Sequence, residues 1–322
     1  VLKTVVDPLL GIDYLAARMV QIDPEKAQVK VQLGYPAKSY KEKVKELLER
    51  AFQAANLAVE VIVEQKIIAH AVQRTLKVLP NVKNIIAVSS GKGGVGKSTV
   101  AANVALALAE QGAKVGVLDA DIYGPSQPLM LGAFGRPITN DGTHMNPVQS
   151  HGIQINSIGF LIDAEEPMIW RGPLVAQALT QLLTQTNWDD LDYLVIDMPP
   201  GTGDIQLTLS QTVPVTGAIV VTTPQDIALL DAKKGLKMFQ KVNVPILGIV
   251  ENMSMFKCPK CGHLEHIFGE GGAKRMSETY HVDVLGQLPL DAAIRQQADS
   301  GVPTIVSSPD SYAATVSYTH LR

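Results

Sequence analysis

The chain has 322 residues, of which 46% are hydrophobic and 18% charged, with a net charge of −3. That length suits one large domain plus a small one. No stretch approaches the roughly 18 apolar residues that span a bilayer. No basic-then-apolar leader opens the chain, and no basic block reads as a nucleic-acid arm. The composition is that of a soluble globular protein with no nucleic-acid or membrane partner. Two cysteines, Cys258 and Cys261, are too few for a disulfide framework and suit a thiol or metal role in the cytoplasm. The first residue is Val1, so an upstream segment is expected to be missing.

In chain order, the first segment reads as a small α/β domain, residues 1–67. Val29 to Leu33 alternates as a half-buried strand after the turn-forming Asp23-Pro24-Glu25. Ser39 to Ala55 is a charged amphipathic helix with Val44, Leu47, Leu48, Ala51 and Phe52 on one face. Leu57 to Val63 alternates again as a strand. Residues 68–82 form a connector within a stretch, Lys66 to Val82, that reads as partly helical until Pro80 stops it.

From residue 83 the pattern becomes strand, loop, helix, repeated. Apolar runs at Ile85–Ser89, Lys114–Leu118, Tyr193–Ile196, Ala218–Thr222 and Ile246–Val250 read as buried strands. Helices are expected between them, including Ser98–Gln111, Pro173–Leu183 and Gln225–Val242. The alternation predicts an α/β fold with a mainly parallel sheet, helices on both faces, and ligands at the carboxyl ends of the strands, over residues 83–309. Residues 310–322 stop without the closing helix expected after Pro309, and read as a truncated or non-native tail.

Between the first of these strands and its helix stands Gly91-Lys92-Gly93-Gly94-Val95-Gly96-Lys97-Ser98-Thr99, which matches the P-loop pattern G-x-x-x-x-G-K-[ST]. Glycines let backbone N–H groups turn in on phosphate oxygens. Lys97 reaches the β/γ-phosphates, and the Ser98 hydroxyl can ligate Mg²⁺. An ordinary Gly-rich turn would not need Lys-Ser after its last glycine. Two strands end in acid: Leu118-Asp119-Ala120-Asp121 and Ile196-Asp197, the latter followed by a Gly-rich turn to Asp204. A carboxylate at Asp197 can hold a water of the Mg²⁺ shell. Asp119 or Asp121 alone would read equally as a helix-capping residue.

The pair Cys258-Pro-Lys-Cys261 leaves three readings open. Zinc would need four ligands, available in principle from Cys258, Cys261, His263 and His266. A redox dithiol would want its first cysteine at a helix N-terminus. An iron–sulfur cluster takes four thiolates, so a two-cysteine chain must share it with a second copy.

The loop Lys92 to Thr99 resembles the deviant phosphate loop of the MinD/ParA/nitrogenase-iron-protein class of dimeric ATPases. The resemblance implies that Lys92 reaches across a dimer to the partner's phosphates, that Asp121 orients the attacking water, that Asp197 to Asp204 is a switch segment, and that Asn252 reads adenine. More widely, Lys83 to Pro303 resembles the Mrp/ApbC family of iron–sulfur carrier ATPases. The runs that carry this are Asp119-Ala-Asp-Ile-Tyr-Gly-Pro-Ser126, Trp170-Arg-Gly-Pro173, Asp192 to Asp204, the cysteine pair, and Gly286-Gln-Leu-Pro-Leu-Asp291. That family implies a homodimer that holds a [4Fe–4S] cluster on two cysteine pairs and passes it to apoproteins, alongside other cluster-assembly factors, with ATP and Mg²⁺ as nucleotide and ion. A ParA/MinD-like positioning ATPase and a zinc-stabilised nucleotide-binding scaffold are the alternatives.

The segment Asp7-Pro-Leu-Leu-Gly-Ile-Asp13 is similar to the opening of the small domain found ahead of such proteins. Leu9 stands where that domain usually has an acid, and Gly34-Tyr-Pro-Ala37 where it often has a cysteine. Partner binding is the role this leaves, with a passive appendage as the alternative.

Overall fold

The computed structural model describes residues 1–73, 76–161 and 172–319. Trp170 and Arg171, and His320 to Arg322, lie outside the described residues. The chain forms two compact units, one of residues 1–69 with Glu110–Ala113 and one from His70 onward without that insert.

In the first unit, strands β1 (Val20–Asp23) and β2 (Gln28–Leu33) pair as an antiparallel hairpin. Helix α1 (Lys41–Ala54) then crosses to β3 (Glu60–Gln65), which runs parallel to β2. Alternation on β2 turns Val29, Val31 and Leu33 inward against Val44, Leu48 and Phe52 of α1. The strand expected from Leu57 starts later, at Glu60. Asn56 takes a left-handed φ of 55°, and the Leu57 amide folds back on the Phe52 carbonyl at 3.0 Å, so the helix end consumes those residues.

The second unit holds β4 (Val82–Ser90), α2 (Lys97–Glu110), β5 (Val115–Asp119), α3 (Gln127–Met130), the hairpin β6 (Ile138–Thr139) and β7 (Met145–Asn146), β8 (Val148–Ser150), β9 (Ile153–Ser157), α4 (Gly172–Thr184), β10 (Leu191–Asp197), α5 (Asp204–Thr212) and β11 (Gly217–Thr222). There follow α6 (Asp226–Lys241), β12 (Ile246–Glu251), the hairpin β13 (Phe256–Lys257) and β14 (Leu264–Glu265), α7 (Gly272–Tyr280), β15 (Val284–Gln287), α8 (Ala292–Asp299), α9 (Thr304–Ser307) and α10 (Tyr312–Thr319).

Eight strands make the main sheet in the order β15-β12-β11-β4-β10-β5-β9-β8. Every pairing is parallel except β8 with β9. Strand β10 is buried throughout, including Asp197 at its end. Its neighbours β4 and β5 align Val88 and Asp119 with Asp197. The parallel register therefore delivers the phosphate loop and both acidic strand ends to one edge of the sheet. Helix α2 is rich in alanine and buried on nearly every face from Val100 to Leu108, which lets it lie close to the sheet.

Two expectations fail. The connector carries no helix among its described residues, because its backbone is tied elsewhere: the His70 amide donates to Asn84 Oδ1 at 3.0 Å and the Val82 amide to the Leu79 carbonyl at 3.3 Å. The tail does form the closing helix that the sequence reading lacked. Helix α10 packs on β15 and α9 and buries Ala313, Ala314, Val316 and Ser317.

Candidate functional site

The phosphate loop leaves β4 at Gly91, where a Cβ would fall 2.1 Å from the Asp231 carbonyl carbon of α6. Only glycine allows that close passage. At Gly96, φ is +87° and a Cβ would meet Asn252 Nδ2 at 2.1 Å. Asn252 uses that nitrogen to hold the loop, donating to the Val95 carbonyl at 2.9 Å. Helix α2 starts at Lys97, so the amides of its first turn, at Lys97, Ser98 and Thr99, face the loop as an anion site. Lys92 and Gly93 are exposed.

Lys97 is buried, and its ammonium donates to Asp197, lies 3.5 Å from Asp121 Oδ2 and 3.3 Å from Ser98 Oγ. The structure thus brings together Lys97, Ser98, Asp121 and Asp197. Asp119 plays a different part. Its Oδ2 accepts from the Ser126 and Gln127 amides at 2.9 and 3.0 Å and from Ser157 Oγ at 3.1 Å, so it folds the segment that carries Asp121. Complete burial, and then the nearby Asp197, push the Asp119 carboxyl up to about 7. Burial also raises Asp121, against the pull of Lys97.

Two contributors escaped the sequence reading. Gln127, fully buried, donates to Asp197 Oδ2 at 2.9 Å and to the Ser98 carbonyl at 3.0 Å. Glu251, buried at the end of β12, accepts from the Ala273 amide at 2.6 Å and from Gln287 Nε2 at 2.7 Å, fixing the strand end that presents Asn252. An acid beside Asn252 was the only signal for the second, and nothing local marked the first.

The cysteines sit in the turn of the β13–β14 hairpin. The Cys258 amide donates to the His263 carbonyl and the Gly262 amide to the Cys258 carbonyl, both at 2.9 Å, with Gly262 at φ +74°. Cys258 is half-buried and Cys261 exposed. Backbone N–H groups of Cys261 and then Lys260 hold the Cys258 thiol below its ordinary value, favouring the thiolate that binds metal. His266 Nδ1 lies 2.7 Å from the Ser254 carbonyl oxygen. Among the described residues no three His, Cys, Asp or Glu side chains converge as a metal shell, so Cys258, Cys261, His263 and His266 do not form a four-ligand set in one chain.

A parallel sheet with a glycine loop at the end of β4, a buried loop lysine and carboxylates at two adjacent strand ends define a P-loop nucleotide-binding protein of MinD/ParA-like fold. Within that class the chain belongs to the NUBPL iron-transfer P-loop NTPase family, which it matches over residues 81–321. Residues 1–63 match the iron–sulfur cluster assembly protein family.

An iron–sulfur cluster carrier protein of Salmonella typhimurium is 67% identical over 231 residues, 71% of this chain and 63% of that protein. The chain therefore spans less than two thirds of that relative's length. One from Deinococcus radiodurans is 46% identical over 319 residues, 97% of this chain and 89% of that protein. Among solved structures, an Archaeoglobus fulgidus nucleotide-binding protein in complex with ADP is 40% identical, with a TM-score of 0.61 over 69% of this chain and 88% of that one. The septum site-determining protein MinD of Pyrococcus horikoshii, complexed with Mg-ADP, is 26% identical, with a TM-score of 0.55 over 74% of this chain and 94% of its own. Among the described residues no helix is long and apolar enough to cross a membrane.

Proposed function

We propose that two copies of this chain bind and hydrolyse ATP and hold a [4Fe–4S] cluster between them, for transfer to apoproteins in the cytoplasm. The observation that carries this reading is the pairing of a phosphate loop and its buried lysine with a hairpin that offers two thiols, on which no third His, Cys, Asp or Glu side chain converges among the described residues. A four-thiolate cluster then requires a second chain. The relatives' description as iron–sulfur cluster carriers supports it.

In this reading Lys97 exchanges its carboxylate partners for the β/γ-phosphates, and the loop amides of Gly91 to Thr99 surround them. Asp121 orients the water that attacks the γ-phosphorus, while the bond to the β-phosphate oxygen breaks to leave ADP and inorganic phosphate. Lys92, exposed at the rim, steadies the developing charge from the partner subunit's side. Asn252 has its nitrogen engaged with Val95, so Oδ1 is the atom left to accept from the adenine amino group, a hydrogen bond that the guanine carbonyl cannot donate.

Ser98 and Asp197 would hold Mg²⁺. Their donors are hydroxyl and carboxylate oxygens, the hard set this ion prefers, and it would neutralise charge on the phosphate oxygens. The small N-terminal unit is a contact for client proteins or other assembly factors.

Anaerobic reconstitution with iron and sulfide tests the carrier half. Broad visible absorbance with about four irons per dimer is expected, lost in Cys258→Ala and in Cys261→Ala. A colourless protein with stoichiometric zinc would sink the proposal. For the ATPase half, Lys97→Ala abolishes turnover and Lys92→Ala lowers hydrolysis more than binding. Normal turnover by the Lys92 variant refutes its role across the dimer.

A further inference from the structure

Gln127 has a side chain that packing alone does not explain. It is fully buried, on the first residue of α3, and both groups it touches are acceptors: Asp197 Oδ2 at 2.9 Å and the Ser98 carbonyl at 3.0 Å. Only an NH₂ group can face two acceptors, so the amide orientation follows from its neighbours. Its other atom, Oε1, is then left buried with no partner among the described residues. An apolar residue of the same size would fill this place without stranding an acceptor. The stranded oxygen belongs to the same amide that grips both the carboxylate and the peptide of the Ser98–Asp197 pair.

We propose that Gln127 is a positioning residue for the magnesium ion of the nucleotide complex: its NH₂ fixes Asp197 and Ser98, and its Oε1 accepts a hydrogen from a water in the ion's shell. Mg²⁺ characteristically keeps several waters. A water bound to it is a strong donor, which is what a buried carbonyl without a partner needs. Here Asp197 Oδ1 meets Lys97 and Oδ2 meets Gln127, so once Lys97 turns to the phosphates the amide still sets which way the carboxylate plane faces. This rests on the reading of the site as one for a magnesium–nucleotide complex.

The test is a Mg²⁺ titration of the full chain with a fluorescent ADP analogue, read as binding rather than turnover, for the parent and for Gln127→Leu. A parent with no Mg²⁺-dependent tightening would refute the magnesium–nucleotide reading itself. With tightening present in the parent, the half-saturating Mg²⁺ concentration is expected to rise about 10-fold or more in Gln127→Leu, the usual effect of removing a group that orients a metal ligand. An unchanged half-saturation point overturns the proposal. Gln127→Met, which is unbranched, takes the same test if the leucine variant does not fold. Failure of both to fold makes the residue structural and equally overturns it.

Discussion

Replacing Lys97 with methionine keeps an unbranched apolar stem and deletes the terminal ammonium with its charge. The ammonium donates to Asp197, which is 0% exposed, and lies 3.5 Å from Asp121, which is 13% exposed. Asp119, also 0% exposed, sits close enough for Asp197 to raise it. The variant leaves these carboxylates around an apolar methyl. Breaking a buried ion pair by removing one partner costs about 3–5 kcal/mol. Asp197 retains the Gln127 amide, which places the loss near the lower end, at about 3 kcal/mol. At about 2–4 °C per kcal/mol for a unit of this size, the melting midpoint falls by about 6–12 °C.

The loss also depends on pH, with a definite sign. Without the cation, nothing offsets the burial that raises Asp119 and Asp121, so the folded state binds protons on them more readily than the unfolded state does and the penalty grows as pH rises. The parent carries a milder form through Asp119. Its folded value, about 7, lies above the unfolded one, so its contribution to stability declines as pH climbs from about 4 to 7. Melting followed by circular dichroism at about pH 6 and 8 reads both effects. A midpoint within about 2 °C of the parent at the higher pH, or an equal deficit at both, refutes the reasoning.

Other variants probe the supports of the site. Gly91→Ala drives a methyl to 2.1 Å from the Asp231 carbonyl carbon, so loop and α6 must part. A loss of more than about 3 kcal/mol and of ADP binding is expected, read by urea denaturation and calorimetry. Glu251→Ala strands the buried Ala273 amide, at a cost of about 1–3 kcal/mol, and the partly buried Gln287 Nε2, at less. Glu251→Gln retains an acceptor for one of them and loses less, and equal losses in the two variants would contradict the assignment. In Cys261→Ala, Cys258 keeps the backbone donors of residues 260 and 261. Its alkylation rate therefore rises with pH around a midpoint below the ordinary thiol value, and a midpoint at or above that value refutes the hydrogen-bonded thiolate.

The sequence made the site's frame legible where physics is local. Apolar runs ending in Asp119 and Asp197, and a glycine loop ahead of an alanine-rich helix, carry their periodicity within a few residues. What stayed hidden depends on distance along the chain. Gln127 meets Asp197 across 70 positions, and Glu251 meets Gln287 across 36, so no window of sequence contains either pair. Strand β9 was missed because Gln154 and Asn156 interrupt its apolar run. Both are buried, and they satisfy themselves on the Asp189 carbonyl and on Thr186 Oγ1, at 3.1 and 2.6 Å. Helix α10 was missed because Ala313 to Ser317 is small and weakly patterned, and a helix that short exists through its packing on β15 and α9.

The end of β12 links the phosphate loop to the cysteine hairpin, and it explains why their surroundings differ. Glu251 ties the strand end to α7 and β15, and Asn252 ties it to the phosphate loop through Val95. Ser254 then donates through both its amide and its hydroxyl to the Leu288 carbonyl, at 2.9 and 3.0 Å. Up to this point Glu251, Asn252 and Ser254 are buried and each is tied to a neighbouring element, as a phosphate site needs if its donors are to be set before the ligand arrives. Beyond Ser254 the chain turns outward. The hairpin is two residues per strand, Leu264 and Cys261 are exposed, and His266 anchors it through the Ser254 carbonyl. In the proposed reading a cluster is shared between two copies and handed to a third protein, so it cannot be enclosed by one chain. Thiols on a small exposed hairpin, hung from a rigid strand end beside the nucleotide loop, meet that requirement, whereas the same thiols in the sheet core would not.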